Sequence, residues 1–214
     1  MTNTVAKEVA HTLLEIKAVS LSPAKPFTWA SGLKSPIYCD NRLIMSFPEA
    51  RTKIEHALAD MIKNEFPDVE VIAGTATAGI PHAAIVADIL NLPMIYVRSS
   101  AKDHGKQNAI EGQLLKGQKV VMIEDLISTG GSVIEAADKV EEAGGELLAC
   151  VAIFNYLLQR GKEAFAKKAY PLKTLTNYQV LVEEAVTKPE LKDYKSTLEE
   201  WYLDPVAWSE KYGK

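Results

Sequence analysis

The 214-residue chain is long enough for one large domain, and its 47% hydrophobic and 24% charged residues are a balance typical of folded proteins rather than disordered chains. Its formal net charge of −4 excludes a general attraction for nucleic acid or anionic membranes, so any anion must be held by a local arrangement. The longest uncharged run, residues 71–87, is broken by two glycines and a proline, which excludes a membrane span there.

The cysteines and the N-terminus indicate the compartment. Cys39 and Cys150 lie far apart in apolar surroundings, which favours buried free thiols in a reducing environment. The first residues carry charges at every turn and lack the apolar centre of a signal peptide. We therefore expect a cytoplasmic protein.

The N-terminal quarter predicts two helices with an irregular segment between them. Apolar residues at helical spacing from Val5 to Ile16 predict a first helix that ends near Ser20. Residues 22–40 contain three prolines and predict loops with a short strand in "PIYCD". Ser46 and Glu49 have the spacing of a capping box, with Pro48 in the first turn of the following helix.

From there, strands and helices alternate. The predicted strands are Val69–Gly74, Met94–Arg98, Lys119–Asp125 and Leu147–Phe154, and the predicted helices are Gly79–Leu90, Ser132–Ala143 and Gly161–Lys168. Continuous apolar strands that alternate with helices predict an α/β fold, with a parallel sheet covered on both faces. The tail from Thr176 predicts one further helix, for which Thr176 and Gln179 could form a capping box.

Two adjacent carboxylates mark a candidate binding site. Glu124 and Asp125 end an apolar strand, and the small polar run Ser128–Ser132 leads from them into a helix. In an open parallel sheet, ligands bind outside the carboxyl ends of the strands, and a helix start offers free N–H groups to a phosphate. Because carboxylates accept hydrogen bonds from a diol, the segment predicts a ligand with a phosphate and vicinal hydroxyls.

A nucleoside-triphosphatase site does not fit the sequence. Such a site needs a glycine-rich loop that ends in Gly-Lys-Ser or Gly-Lys-Thr. The nearest candidate, "GTATAGIP" (residues 74–81), has Ile80 and Pro81 where the lysine and the hydroxyl should be. No GxGxxG sequence occurs either.

Three segments carry a family resemblance. "VVMIEDLISTGGS" (residues 120–132) resembles the ribose-5-phosphate signature of type I phosphoribosyltransferases, which use 5-phosphoribosyl 1-diphosphate (PRPP). "AKDHG", within the polar segment Tyr96–Gly112, resembles the catalytic loop of orotate phosphoribosyltransferases. "FTWASGLKSPIYCDNR" (residues 27–42) resembles their base-site region. By resemblance, the chain is similar to the orotate phosphoribosyltransferase family.

The resemblance implies a type I phosphoribosyltransferase fold in a single domain, residues 1–214. Its core would span about residues 47–175, and a small hood would come from about residues 1–46, with the C-terminal segment packing on the core. It also implies transfer of the phosphoribosyl group from PRPP to orotate, giving orotidine 5′-monophosphate in pyrimidine synthesis. Mg²⁺ would be the cofactor, held mainly by PRPP rather than by direct side-chain ligation. The family further implies a homodimer whose catalytic loop is shared between subunits, with no nucleic acid or membrane partner.

The resemblance also assigns the site residues. Catalytic roles fall to Lys102, His104, Arg98 and Asp125. Contacts with PRPP fall to Arg98, Lys102, His104, Glu124, Asp125, Leu126, Ile127, Ser128, Thr129, Gly130, Gly131, Ser132, Thr75, Ala76 and Thr77. Ser128 would face orotate, and Arg42 is the candidate partner of its carboxylate.

The chain departs from the family pattern at four positions. Glu124 replaces the first aspartate of many members, and Ala30, Ala78 and Ser99 occupy positions where relatives carry lysine. Fewer cations around the diphosphate would place more weight on Arg98, Lys102 and Mg²⁺. Two alternatives stay open: transfer to another nucleobase, and a PRPP-binding regulator without catalysis.

Overall fold

The computed structural model describes residues 3–29, 31–99 and 109–212. In chain order its α-helices are Asn3–Glu15 (α1), Pro48–Glu65 (α2), Gly79–Leu90 (α3), Gly131–Glu142 (α4), Gln159–Phe165 (α5), Tyr178–Ala185 (α6), Lys195–Leu203 (α7) and Pro205–Tyr212 (α8). Its strands are Val19–Leu21 (β1), Phe27–Thr28 (β2), Lys34–Ser35 (β3), Ile37–Cys39 (β4), Val71–Thr75 (β5), Met94–Val97 (β6), Ile110–Glu111 (β7), Lys119–Ile127 (β8), Glu146–Asn155 (β9) and Leu172–Asn177 (β10). Short 3-10 helices cover Asn41–Ser46 and Lys192–Tyr194.

The central sheet has the strand order β10-β9-β8-β5-β6-β7. Its pairings are parallel except for the last, between β6 and β7, which is antiparallel. After β5, the next strands β6 and β7 lie on one side of β5, and the following strands β8, β9 and β10 lie on its other side. The crevice at the carboxyl ends of β5 and β8 is therefore the topological switch point, where open α/β sheets bind their ligands. The predicted α/β class and mostly parallel sheet are confirmed.

A separate apolar core covers each face of the sheet. Along β8, Val121 and Ile123 face the core that contains residues of α1, α2, α3 and α6, whereas Val120 and Met122 face the core beneath α4 and α5. This alternation follows from the period-2 side-chain geometry of a strand. Because both faces are buried, the strand carries an uninterrupted apolar run up to Glu124.

The segments at the two ends of the chain contact each other. Strands β1 and β4 pair antiparallel, as do β2 and β3. The backbone N–H of Lys34 in β3 donates to Ser209 Oγ in α8 at 2.8 Å. Trp201 in α7 is fully buried and packs edge-on against Trp29, with ring centroids 5.7 Å apart. Residues of β2–β3 and of α7–α8 thus form one packed unit.

Both predicted capping boxes are wrong. Helix α2 begins at Pro48 with Phe47 as its N-cap and no side-chain cap bond, because Ser46 belongs to the preceding 3-10 helix. At the second position, Thr176 lies in strand β10, and Asn177 caps α6 by accepting a hydrogen bond from the Val180 N–H at 3.1 Å. The tail therefore contains an edge strand and three α-helices where the sequence predicted one helix.

Within the described ranges, none of the helices combines the length and apolar character needed to cross a membrane.

Candidate functional site

The crevice at the switch point is a cavity of about 330 Å³. It is formed by the loop after β5, the end of β8 and the turn into α4. The lining residues are Ala76, Thr77, Ala78, Glu124, Asp125, Leu126, Ile127, Ser128, Thr129, Gly130, Ser132 and Val133. Thr75 and Arg98 line a small neighbouring cavity that also contacts Ser132. The structure thus brings together most of the residues that the resemblance assigns to PRPP.

The acid pair lies just inside the end of β8, which continues for two residues beyond it. Glu124 is buried, with 7% of its surface exposed, and Asp125 is half-buried. The backbone N–H of Asp125 donates to Glu124 Oε1 at 3.0 Å. Burial, reinforced by the adjacent Asp125 carboxylate, raises the pKa of Glu124 to about 9. A neutral Glu124 can donate a hydrogen bond as well as accept one, which suits a sugar hydroxyl.

The turn between β8 and α4 presents its backbone to the cavity. Gly130 is the N-cap of α4 in the left-handed region, with φ of 79°, and no side chain caps the helix. The N–H groups of the first turn are therefore available to an anion. A Cβ atom on Gly130 would lie 2.7 Å from the Phe165 ring, and one on Gly161 would lie 2.8 Å from the Ser128 carbonyl oxygen. Helix α5 therefore packs directly behind the turn and fixes its shape.

The loop after β5 faces this turn across the cavity. Residues 76–78 connect β5 to α3, and α3 begins without a side-chain cap. The Ala76–Thr77 peptide bond is cis. A Cβ atom on Gly79 would lie 2.5 Å from the Ile123 carbonyl oxygen, so only glycine allows α3 to begin so close to β8. This close approach brings the loop of residues 76–78 next to the end of β8, and both line the cavity.

Arg98 lies at the end of β6. Its Nε is 3.4 Å from Glu111 Oε1, and its backbone N–H donates to the Ala109 carbonyl oxygen at 2.8 Å. From α4, Lys139 Nζ donates to the carbonyl oxygens of Arg98 at 3.2 Å and of Ser99 at 2.8 Å. The structure therefore places Arg98 beside the cavity but pairs it with an acid.

Arg42 follows β4 at the start of the 3-10 helix and is largely exposed. Its guanidinium donates to Asp40 through Nε at 2.7 Å and Nη2 at 3.1 Å. These bonds lower the pKa of Asp40. Arg42 would have to exchange Asp40 for a substrate carboxylate. Behind it, burial and the nearby Asp125 carboxylate raise the pKa of the Cys39 thiol.

Three sequence-predicted positions cannot be placed. Lys102 and His104, assigned to catalysis, lie outside the described residues, as does Ala30. Among the residues that are described, no cluster of three or more His, Cys, Asp or Glu side chains could hold a metal ion.

Sequence reasoning missed three residues near the site. Asn41 is fully buried and contacts Asp125, Lys139 holds the end of β6, and Glu55 bonds His82 just behind the β5–α3 loop. Each contact joins residues at least 27 positions apart in the chain. The only feature of the local sequence that could have indicated these three residues is a polar side chain at a position where the helical or strand pattern predicts an apolar one.

Comparisons with known proteins agree on the family. The phosphoribosyl transferase domain family matches residues 44–193. An orotate phosphoribosyltransferase from Enterococcus faecalis is 58% identical over 205 residues, covering 95% of this chain and 98% of the relative. The protein of that name from Listeria innocua has the same identity and coverage. The crystal structure of orotate phosphoribosyltransferase from Aeropyrum pernix, 24% identical, superposes with a TM-score of 0.75 over 84% of this chain and 99% of that chain, which shows the shared fold.

Proposed function

The chain belongs to the orotate phosphoribosyltransferase family, and on that premise we propose that it transfers the 5-phosphoribosyl group from PRPP to orotate. The products are orotidine 5′-monophosphate and diphosphate, on the route of de novo pyrimidine synthesis to UMP. The observation that carries the proposal is the single cavity that joins the acid pair, the glycine turn and the β5–α3 loop. Each of these elements suits one part of PRPP.

The 5′-phosphate binds at the turn into α4. Its oxygens accept hydrogen bonds from the backbone N–H groups of residues 129–132 and from the hydroxyls of Thr129 and Ser132. The positive end of the α4 dipole favours the phosphate charge. Anchoring this remote group fixes the ribose, and such positioning can supply about 7–11 kcal/mol of a reaction barrier.

The ribose hydroxyls bind the acid pair. Asp125 accepts hydrogen bonds from the diol, and the neutral Glu124 donates or accepts as the ribose requires. As the bond from C1 to diphosphate breaks, positive charge grows on the ribose. The Asp125 carboxylate lies on the ribose side of the cavity and stabilises that charge.

The diphosphate binds between the β5–α3 loop and Arg98. Backbone groups of Thr75, Ala76 and Thr77 face it, and Arg98 neutralises charge once the leaving group displaces Glu111. In this proposal Lys102 and His104 supply the remaining cationic and proton-donating groups, on the basis of the family resemblance alone.

Mg²⁺ is part of the same proposal. The Asp125 carboxylate lines the same cavity as the diphosphate loop, and its negative charge would favour a cation bound there with PRPP. PRPP would supply most of the ligands, and the bound ion would provide positive charge beside the departing diphosphate.

Orotate binds between Ser128 and the segment of residues 27–42. Ser128 lines the cavity, and the pKa of Arg42 is raised mainly by its hydrogen bond to Asp40 and to a smaller extent by the Asp125 carboxylate. Orotate N1 then attacks C1 of the ribose from the side opposite the diphosphate. Displacement of Asp40 by the orotate carboxylate would bring Arg42 into the site.

The assembly and compartment are also proposed: a homodimer, in the cytoplasm, in which the segment containing Lys102 serves the partner's site. Two free cysteines support a reducing compartment. Mixing two impaired variants, Lys102→Ala and Asp125→Asn, at a PRPP concentration too low for either variant alone to show activity, tests the shared site. Mixed dimers should regain activity if the two residues act from different subunits, and should stay inactive if each subunit is self-sufficient.

The direct test is a spectrophotometric assay of orotate consumption with purified protein, PRPP and Mg²⁺, with adenine and uracil as parallel substrates. PRPP-dependent loss of orotate that stops on addition of a chelator supports the proposal. Turnover of another base would keep the PRPP site and overturn the base assignment. Binding of PRPP without turnover of any base would favour the regulator alternative.

A further inference from the structure

Asn41 makes a buried hydrogen bond to the acid pair. The side chain is fully buried at the start of the 3-10 helix that follows β4. Its Nδ2 donates to the backbone carbonyl oxygen of Asp125 at 2.7 Å, and its Oδ1 accepts from Cys39 Sγ at 3.3 Å. The first of these bonds joins the segment of residues 27–42 to β8 across 84 positions of sequence.

The bond between Asn41 and Asp125 lies at a part of the sheet where β8 lacks a neighbouring strand on the β5 side. The pairing of β5 with β8 ends at Gly74 and Ile123, so Asp125 lies beyond the last residue that β5 supports. Two side chains bond its main chain: Glu124 Oε1 accepts from its N–H, and Asn41 donates to its carbonyl oxygen. Both peptide groups of Asp125 are therefore held, one on each side of its Cα atom.

We propose that Asn41 is a positioning residue, which sets the direction of the Asp125 carboxylate by fixing the peptide group that follows it. The inference rests on the proposed function, because it assigns Asp125 to the ribose diol of PRPP. Strand β9 still pairs with β8 as far as Ile127, so the end of the strand stays in the sheet. On the open β5 side, loss of the bond would let the Asp125 peptide group tilt and turn the carboxylate away from the ribose. Small displacements of this kind weaken binding and slow reaction at a positioned centre.

A merely structural role predicts a different result. If Asn41 only stabilised the fold, its replacement would lower the unfolding free energy and leave the PRPP affinity of the folded protein unchanged. A positioning role predicts weaker PRPP binding that other variants of equal stability do not show. It also predicts that restoring a hydrogen-bond donor restores the affinity.

The test compares Asn41→Ala and Asn41→Asp with Asn177→Ala in the full-length protein. Asn177 caps α6 and does not line the cavity, so its replacement provides a loss of stability at a distance from the acid pair. The readouts are the Michaelis constants for PRPP and orotate, the affinity for PRPP by calorimetry, and urea unfolding. We expect both Asn41 variants to bind PRPP about tenfold more weakly, the size of one lost hydrogen bond.

The pH profile adds a second readout. The carboxyl introduced by Asn41→Asp cannot donate when ionised but can donate when protonated, so PRPP affinity should recover as the pH falls for this variant alone. If Asn41→Asp does not fold, Asn41→Ser takes its place. Serine offers a shorter hydroxyl donor, so the PRPP affinity of this variant should lie between those of wild type and Asn41→Ala. PRPP affinities within twofold of wild type, or an equal loss in Asn177→Ala, would overturn the proposal. Failure of the proposed function would instead show as a wild-type protein that consumes no orotate, and calorimetry would still test Asn41.

Discussion

His82 Nδ1 lies 2.5 Å from Glu55 Oε1, and both side chains are completely buried where α3 packs against α2. Burial raises the pKa of Glu55, and the hydrogen bond from His82 opposes that rise. His82 lies in the first turn of α3, directly after the loop assigned to diphosphate. The pair therefore holds the loop's supporting helix to the rest of the core.

Removing one member of this pair should destabilise the protein strongly. We expect Glu55→Leu or His82→Leu alone to lower the unfolding free energy by about 3–5 kcal/mol, because each leaves a buried polar partner unpaired. The double replacement should cost less than the sum of the two, since it leaves no unpaired group. Urea unfolding of the four proteins gives the coupling directly. If the losses of unfolding free energy in the single variants add up to that of the double variant, Glu55 and His82 are not specifically bonded.

Gly79 and Gly131 form a matched pair, because each is the first residue of a helix at the edge of the cavity. Gly79→Ala should lower the unfolding free energy by about 1–3 kcal/mol, since its Cβ would lie 2.5 Å from the Ile123 carbonyl oxygen. Gly131→Ala should be tolerated, because its Cβ would approach nothing closer than Thr129 Oγ1 at 3.9 Å. Thermal unfolding of both variants tests the difference. Equal losses of stability in the two variants would mean that the short distance between α3 and β8 does not require glycine at position 79.

Glu124 should make the protein less stable as the pH rises. Its pKa in the folded protein, about 9, lies above its ordinary value of 4.5, so the folded state holds a proton that the unfolded state releases. This contribution is fully present below about pH 4 and is lost as the pH rises towards about 9. Glu124→Gln should therefore gain stability over wild type across that interval, measured by urea unfolding. The exposed Glu146→Gln should show no such gain.

Asp125→Asn should weaken PRPP binding. The replacement keeps the shape of the side chain but removes the charge that accepts hydrogen bonds from the diol, so we expect a loss of about tenfold or more. Calorimetric titration with PRPP and Mg²⁺ measures it, with the exposed Asp60→Asn as the control. Wild-type affinity in Asp125→Asn would remove the diol assignment.

Lys102→Ala should reduce turnover far more than PRPP binding. The expectation rests on the resemblance of "AKDHG" to the family's catalytic loop, since Lys102 lies outside the described residues. A cation that acts on the leaving group contributes mainly in the transition state, so the turnover number falls while affinity changes little. Steady-state kinetics and calorimetry separate the two, with the exposed Lys63→Ala as the control. An unchanged turnover number would exclude Lys102 from the mechanism.

Local signals predicted the centre of the fold well. The apolar run into Glu124, followed by glycines and an apolar-periodic segment, predicted β8, the turn and α4, because all three depend on neighbouring residues. Capping failed for a physical reason: the Asp40 side chain starts a 3-10 helix that takes up Ser46. The bond between Asn41 and Asp125 was beyond prediction, since nothing near either residue indicates a partner 84 positions away.

Helix α4 contacts the site at two positions along its axis. Its first residue, Gly131, belongs to the anion-binding turn, whereas Lys139, about 12 Å further along the axis, holds the carbonyl oxygens of Arg98 and Ser99. The anion-binding turn and the exit of β6 are therefore both attached to one helix, so the placement of two parts of the site depends on the position of a single rigid element.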